Sequence, residues 1–493
     1  MAVLSTNIDS PSPARESQPR TRSLAAHAVF SRAAGAPLIG GNAVRLLLDG
    51  AENYAAWREA IRSATHTVYF ENYIFSPDGI GSAFLADLTE RARAGVTVRV
   101  LLDWFGSFTT PRSFWAPLAA AGGTVRYHNP PSLRGPLQWF NRDHRKSLVV
   151  DGRIGSVSGV CVSDVWLGNA EKKIEPYRDT GMEIRGPAAA DLVAAFAQVW
   201  EQNGSAIPKA ELAAMPEPKA EGEVAVRVIA TAPNITTVYR LDLLIAALAQ
   251  TRLWLTDAYF AGTAAYVQAL RSAARDGVDV RLLVPGGSDL PWLRPLTTAG
   301  YRPLLEAGVR VFEWNGSMLH AKSAIADERW GRIGSTNLNI ASWLSNFEMD
   351  VAIEDEDFVE QMAAAYERDL QHSTEIVLKK YRRVRLPCPD KTRARSRPGR
   401  GSLARVTAGA LRFTRTVSAV VTNQRVLGPT DARSLFVAAL LALAFAFVAV
   451  KYPRTVAWPI ALLALLLTAT LLARAVRSRM RRGRSNPDGR RSA

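Results

Sequence analysis

The chain has 493 residues, 48% of them apolar, and a formal net charge of +16, which gives room for about two to four domains with large cores. Its two cysteines, Cys161 and Cys388, exclude a disulfide framework and fit a reducing compartment, and no Cys/His cluster has zinc spacing. From Lys379 onward lie 25 of the 61 Lys and Arg but 3 of the 45 Asp and Glu, so the preceding part is net acidic with 36 basic and 42 acidic residues, whereas a nucleic-acid enzyme carries a positive field around its site. No nucleic-acid partner is expected.

Residues 1–35 are rich in Ser, Pro, Arg and Ala, lack the apolar run of a secretion signal, and are expected to be a disordered tail. From there to residue 378 the chain repeats itself. Thr67–Phe75 (TVYFENYIF) parallels Arg252–Phe260 (RLWLTDAYF), Gly95–Leu102 (GVTVRVLL) parallels Gly277–Val284 (GVDVRLLV), and Ala121–Val125 (AGGTV) parallels Ala307–Val311 (AGVRV). Each unit reads strand, helix, strand, helix, strand, and then a strand carrying His and Lys. The helices show as 3.6-period apolar faces such as Phe84, Leu85, Leu88 and Ala92. This alternation predicts an α/β fold of two pseudo-symmetric halves, 36–205 and 224–378, each an α-β-α sandwich on a mixed sheet. A linker at 206–223, with Pro208, Pro216 and Pro218, joins them. The repeat offset drops from 182 residues at Gly95/Gly277 to 176 at His144/His320. The extra residues of the first half are assigned to the loop Pro130–Arg142.

The last strand of each unit carries the chemistry. His144-x-Lys146-x4-Asp151 recurs as His320-x-Lys322-x4-Asp327 in a chain with only six His. On a strand, residues two apart share a face, so each copy sets an imidazole beside an ammonium group. Two such faces brought together surround one point with two His and two Lys. That suits an anionic phosphoryl group, with a nucleophile and a proton carrier titrating near neutral pH. Lys146 and Lys322 hold the non-bridging oxygens and stabilise transition-state charge, so no metal or other cofactor is expected. Asp151 and Asp327 lie an odd number of residues from the motif Lys, and Asp151-Gly152 is a turn signal; a structural role is expected of both. After the Asp the copies diverge: Gly334-Ser335-Thr336-Asn337 stands against Ser158-Gly159-Val160-Cys161. Cys161 therefore occupies the place where Asn337 offers an amide N–H to phosphate. Cys161 is read as a packing residue, with a cysteine nucleophile as the sharper alternative. Glu71, Trp104, Phe105, Trp139 and Phe140 carry two readings, the entrance for a lipid acceptor or ordinary core.

Beyond residue 378 come a basic tether (379–433), two uncharged apolar runs (Ser434–Val450 and Thr455–Ala473) and a basic tail (474–493). Each run is near the short end of a bilayer span. Segment 434–473 is therefore expected to be a C-terminal transmembrane helical hairpin, or a re-entrant one, since the first run is short and Pro459 interrupts the second. Arginines on both flanks place them and the catalytic part on the cytoplasmic side of the cell membrane. The tether is either a segment that clings to anionic lipid or a solvated linker.

The pattern His320-x-Lys322-x4-Asp327-x6-Gly334-Ser335-x-Asn337, its first-half counterpart, and the stretches Gly35–Leu38, Val284–Asp289 and Asn346-Phe347-Glu348 resemble the HKD signature of the phospholipase D superfamily. The likeness covers about residues 36–378 and is greatest to bacterial cardiolipin synthases. It implies that one His attacks phosphorus to form a phosphohistidine, while the other protonates the departing alcohol and then deprotonates the incoming one. By the resemblance His144 takes the first role and His320 the second, with Ser335 and Asn337 in support. It further implies that Asp179 and Glu348, at corresponding positions of the halves, orient a catalytic His through its other nitrogen, as outer carboxylates fix a metal-bound His. The expected activity is transfer of a phosphatidyl group from one phosphatidylglycerol to another, releasing glycerol and forming cardiolipin. The alternatives are a phospholipase D using water or another alcohol, a nuclease of the same superfamily, and a phospholipid-binding membrane scaffold with a degraded site.

Overall fold

The computed structural model describes residues 28–131, 141–169, 171, 174–289 and 294–378. Its strands are β1 (Ile39–Leu48), β2 (Thr67–Asn72), β3 (Thr97–Asp103), β4 (Thr124–His128), β5 (Ser147–Val150), β6 (Ile154–Ser158), β7 (Thr180–Arg185), β8 (Val224–Ala230), β9 (Arg252–Thr256), β10 (Asp279–Pro285), β11 (Arg310–Trp314), β12 (Ser323–Ala326), β13 (Trp330–Gly334), β14 (Met349–Glu354) and β15 (Ser373–Ile376). Among the described residues they form one continuous sheet, in the order β15-β11-β10-β9-β12-β13-β14-β8-β1-β7-β6-β5-β2-β3-β4. The antiparallel pairing of β1 with β8, through Ile39↔Val226 and Asn42↔Val224, is the seam. Outward from it the order is the same on both sides, so β1–β7 match β8–β14 and β15 adds an edge. Strands β2, β3 and β4 are parallel, as are β9, β10 and β11. The strands between them and the seam are antiparallel. The sheet is mixed, as the repeat predicts. Parallel neighbours need a crossover connection, which is why helices separate β2 from β3 and β9 from β10.

Helices cover both faces. Asp49–Ser63 and Gly79–Arg93 bury Trp57, Ile61, Phe84 and Leu88 against Phe70 and Val98. The predicted face is the buried one, with Phe84, Leu88 and Ala92 inside and Leu85 half-buried. Their mates Thr237–Leu248 and Ala264–Arg275 bury Leu241, Ile245, Tyr266 and Leu270. Asp78 and Thr263 cap the second helix of each pair by accepting from the N–H of Gly81 and Tyr266. On the other face, Ala189–Gln202 and Glu356–Gln371 share one core that crosses the seam. Phe196 stacks on Tyr69 at 4.9 Å and Tyr366 on Trp254 at 5.3 Å, with Val226, Met349 and Ile353 in the same cluster. Helix Ala189–Gln202 also touches β8 and helix Glu356–Gln371 touches β1, so each reaches across to the opposite half. Burying one large apolar side chain contributes about 1.5–3 kcal/mol, so this shared core fixes the halves in one orientation.

Three expectations need correction or relocation. Residues 28–34 are helical rather than part of a disordered tail. Ala34 is buried, and the Ser31 hydroxyl and Ala36 carbonyl accept from Arg227 of β8, which needs partners because it is itself buried. The linker carries the helix Lys209–Ala213, whose Glu211 accepts from Tyr69 and Arg99 at 2.7 Å each. The His/Lys pairs lie in the extended lead-in to a strand rather than on it, since β5 begins at Ser147 and β12 at Ser323. The tail before residue 28, residues 132–140 of the first-half loop with Trp139 and Phe140, Cys388, the tether, the apolar hairpin and the basic tail lie outside the described residues. Among the described residues no helix is long and apolar enough to cross a membrane.

Candidate active site

Both motifs enter the sheet at the same end. Ser147, the first residue of β5, pairs with Glu71 near the end of β2, and Ser323 of β12 pairs with Thr256 at the end of β9. Two short parallel bridges then stitch the lead-ins to the opposite half, Asp143↔Phe347 and Arg178↔Leu319. The His144 N–H donates to the Phe347 carbonyl at 2.9 Å, and the His320 N–H to the Arg178 carbonyl at 2.7 Å. In return the Phe347 N–H donates to Arg142 at 2.9 Å and the Arg178 N–H to Met318 at 2.8 Å. Each histidine is thereby held next to the residue that follows its bridge partner, Glu348 for His144 and Asp179 for His320.

That exchange sets the ion pairs. His144 Nδ1 lies 2.9 Å from Glu348 Oε2, and His320 Nδ1 lies 2.9 Å from Asp179 Oδ2. Each imidazole takes its carboxylate from the other half. Glu348 also accepts from Ser335 Oγ at 2.6 Å and Asn346 Nδ2 at 3.1 Å, and Asp179 from Trp166 Nε1 at 2.9 Å. Lys146 Nζ donates to the His144 carbonyl and faces the Tyr73 ring at 5.0 Å. Lys322 Nζ donates to the His320 carbonyl and faces the Tyr259 ring at 5.9 Å. Tyr73 and Tyr259 also lie edge-on to His144 and His320, at 5.0 and 5.8 Å between ring centres. The four motif residues and the two carboxylate residues are all buried, none more than 9% exposed as a residue.

Burial pushes both imidazoles toward the neutral form, His320 to about 4. The ammonium groups act across the seam as well as locally: Lys322 depresses His144 and Lys146 depresses His320. Each ammonium group therefore lies within electrostatic reach of the other half's imidazole. Burial also lowers Lys146 and brings Lys322 down to about 8. Burial by itself would raise Asp179 and Glu348, but the histidine each one meets, with the ammonium groups, carries both below their ordinary values. Lys322 Nζ lies 2.9 Å from the same His320 Nδ1 that meets Asp179. The ionised carboxylate accepts a hydrogen bond from the Nδ1–H, and the nearby ammonium disfavours a second proton on the ring. Neutral imidazoles donating from Nδ1 keep a lone pair on Nε2. Two such nitrogens beside two ammonium groups can carry a phosphodiester through two successive displacements at phosphorus.

Residues 244–370 match the family described as cardiolipin synthase, PLD-like domain. Over 356 residues the chain is 34% identical to cardiolipin synthase A of Pseudomonas aeruginosa, covering 71% of each chain. Over 359 residues it is 31% identical to a cardiolipin synthase of Halalkalibacterium halodurans, covering 71% of this chain and 70% of that one. The chain belongs to the phospholipase D superfamily, on its cardiolipin synthase-like branch. It is an enzyme of the phosphatidyltransferase or phospholipase D type. Among solved structures, phosphatidylserine synthase of Haemophilus influenzae superposes with a TM-score of 0.57 at 16% identity, over 71% of this chain and 92% of that one; this likeness is one of fold.

Not every HKD residue of this phospholipase D-type chain reaches the site. Asp151 and Asp327 sit at the far end of β5 and β12 with left-handed backbone, φ 52° for each. Asp151 accepts from the N–H of Thr65, His66 and Thr67 at 2.9, 2.8 and 2.7 Å, and Asp327 from those of Gln250 and Thr251 at 3.0 and 2.8 Å. Both fasten the start of the neighbouring strand. Asn337 is 4% exposed, its Nδ2 only 3.5 Å from Ser342 Oγ and its Oδ1 without a hydrogen-bond partner among the described residues. Cys161 is buried, and burial pushes its thiol up despite Lys146 and Lys322 nearby, which argues for packing over a thiolate nucleophile. The order Ser-Gly in the first copy has a steric cause: a Cβ at Gly159 would lie 2.2 Å from Asp179 Oδ1. Glu71 lines no entrance; it is fully buried, bonded to Ser147 Oγ at 3.0 Å and 3.9 Å from Arg145. Trp104 is half-buried and Phe105 is exposed.

Several supporting residues escaped the motif reading. Arg178 Nε meets Asp369 at 2.8 Å, and its Nη1 meets Asp49 at 3.0 Å. Asp49 has left-handed backbone (φ 59°); its N–H donates to the Asp179 carbonyl at 2.9 Å, and its Oδ1 accepts the Asp179 N–H at 3.0 Å. Thr231 repeats the arrangement at Glu348, with its N–H on the carbonyl at 2.9 Å and its Oγ1 accepting at 3.2 Å. Fully buried Arg145 donates to the carbonyls of Ala195, Thr231 and Glu348. A sequence signal exists for the first pair, since Asp49 and Thr231 each directly follow the opening strand of a repeat.

Proposed function

We propose that the chain transfers a phosphatidyl group from one phosphatidylglycerol to another, releasing glycerol and forming cardiolipin. His144 Nε2 attacks phosphorus, the P–O bond to glycerol breaks, and His320 gives the leaving oxygen a proton. His320 then takes the proton from a hydroxyl of the second phosphatidylglycerol as that oxygen displaces His144. Lys146 and Lys322 hold the non-bridging oxygens through both steps. The anionic phosphodiester offsets the two ammonium groups, which raises His320 so that it can hold a proton when the leaving group needs it. The observation that carries this reading is the pair of buried imidazoles, each held at Nδ1 by a carboxylate of the opposite half, with a lysine beside each. The curated relatives named cardiolipin synthase support the product. The uncharged runs at 434–450 and 455–473 support attachment to the cell membrane, and their arginine-rich flanks support a cytoplasmic catalytic part.

The test is purified full-length protein in mixed micelles with labelled phosphatidylglycerol. Glycerol release with cardiolipin formation is expected, and His144→Ala and His320→Ala should each abolish it. Release of phosphatidic acid instead would mark a hydrolase, and cleavage of DNA without lipid turnover a nuclease. Substantial turnover left in either histidine variant would contradict the two-histidine assignment.

A further inference from the structure

Among the described residues twelve large apolar side chains are exposed, and eight of them lie in the connections at the site end of the sheet: Phe105, Phe108, Val165, Leu167, Ile174, Ile235, Ile340 and Leu344. Phe105 and Phe108 follow β3, the next three lie between β6 and β7, Ile235 follows β8, and the last two lie between β13 and β14. Both halves contribute, and the β6–β7 and β13–β14 connections are counterparts. Contacts tie these loops to the site. Arg142, two residues before His144, lies over the Phe105 ring at 5.9 Å. Asn339, beside Ile340, is bridged to Ala261 in the loop that carries Tyr259. The turns at the opposite end expose Arg153, Glu328, Arg329, Gly95 and Gly277, and the exposed Val377 and Leu378 at that end close the described chain.

We propose that these eight side chains form an interfacial collar that seats the site end of the fold on a phospholipid bilayer, so that a headgroup meets the histidines while its acyl chains stay in lipid. The inference rests on the phosphatidyl-transfer reading, because it takes the bilayer as the source of substrate. The path of the chain supports this occupant. Ser373 of β15 pairs with Trp314 at the site end of β11, and Ile376 pairs with Val311, so the described chain leaves at the end away from the site. Residues 379–433 then separate it from the uncharged run starting at Ser434. A segment of that many residues is long enough to bridge roughly 40 Å, whereas strands of this size cover about 20 Å. An anchor reached from the far end therefore still lets the collar face the same membrane. Apolar side chains lodged at the headgroup boundary are the ordinary means by which a protein surface rests on lipid.

The test uses the full chain with Cys388→Ser; Cys161 is buried. Nitroxides are placed at Phe108→Cys, Ile340→Cys and, at the other end, Arg329→Cys, in phosphatidylglycerol vesicles. Labels at 108 and 340 are expected to be shielded from a water-soluble relaxation agent and open to oxygen, and the label at 329 to be open to water. Equal access at all three sites would overturn the proposal. So would dipolar coupling between 108 labels of two chains, which would assign the collar to a second copy. In parallel, Phe108→Ser with Ile340→Ser should cut turnover of vesicle phosphatidylglycerol about tenfold and leave monomeric short-chain phosphatidylglycerol within about twofold. An equal fall on both substrates would refute the collar. A wild-type chain that turns over neither substrate refutes the functional reading instead, while the labels still report on the collar.

Discussion

Asp49 holds a backbone angle that few residues other than Gly, Asn and Asp adopt readily, and it uses that angle to grip both backbone groups of Asp179. Asp179 in turn orients His320. Asp49→Ala is expected to lower kcat about 100-fold with KM little changed, since a small misplacement of a reacting group has that effect. Asp49→Asn keeps the acceptor and tolerates the angle, so it should recover most of the loss; steady-state kinetics on phosphatidylglycerol micelles compare the two. A second prediction concerns Lys322, brought down to about 8 by burial first. A group lowered in this way is charged below that pH and loses its proton above it. Transition-state stabilisation needs the charged form, so kcat/KM should fall as pH rises through about 8. Lys322→Arg, which stays protonated, should be slower at every pH but lack that alkaline fall. A pH–rate profile in which both enzymes fall together would mean that another group titrates there.

At the scale of elements, the aspartates of the HKD motif are fasteners. Asp151 ties the start of β2 and Asp327 the start of β9. Asp151→Ala should lower stability by about 1–3 kcal/mol, the effect of leaving backbone donors without an acceptor, and leave turnover per folded molecule unchanged. Burial would raise the Asp151 carboxyl, but the Thr65, His66 and Thr67 N–H groups hold it below its ordinary value. The stabilisation is therefore complete above the unfolded carboxyl range near pH 4 and disappears as pH falls through the lower folded value. Urea unfolding should show a large difference between wild type and variant at pH 7 and a small one at strongly acid pH. The odd spacing from Lys to Asp made this role legible in the chain, because alternate residues on an extended segment face opposite ways. The lead-in position of His144 and His320 was not legible. Apolar patterning marks β5 and β12, but where each strand stops pairing depends on neighbours brought in by the fold.

Across the whole molecule, the seam between β1 and β8 turns two copies of one unit into a single site. The exchange of carboxylates is directly testable. Asp179→Asn should shift the ring nitrogen resonances of His320 and spare those of His144, and Glu348→Gln should do the reverse. Each should reduce turnover about 10–100-fold, in line with the loss of an orienting partner. The opposite pattern would mean that each histidine is served from its own half.

With the acidic pair Asp179 and Glu348 supplied by the family resemblance, the duplicated motif and the alternating elements can be read along the chain, because each is a matter of local spacing. Which carboxylate serves which imidazole cannot, since the contacts that decide it join residues 204 and 141 positions apart. They form only when the shared core under Phe196 and Tyr366 locks one half against the other. The same holds for Arg145, Arg178 and Asp49: their residue types were visible, but their work lies in backbone groups that folding delivers to them.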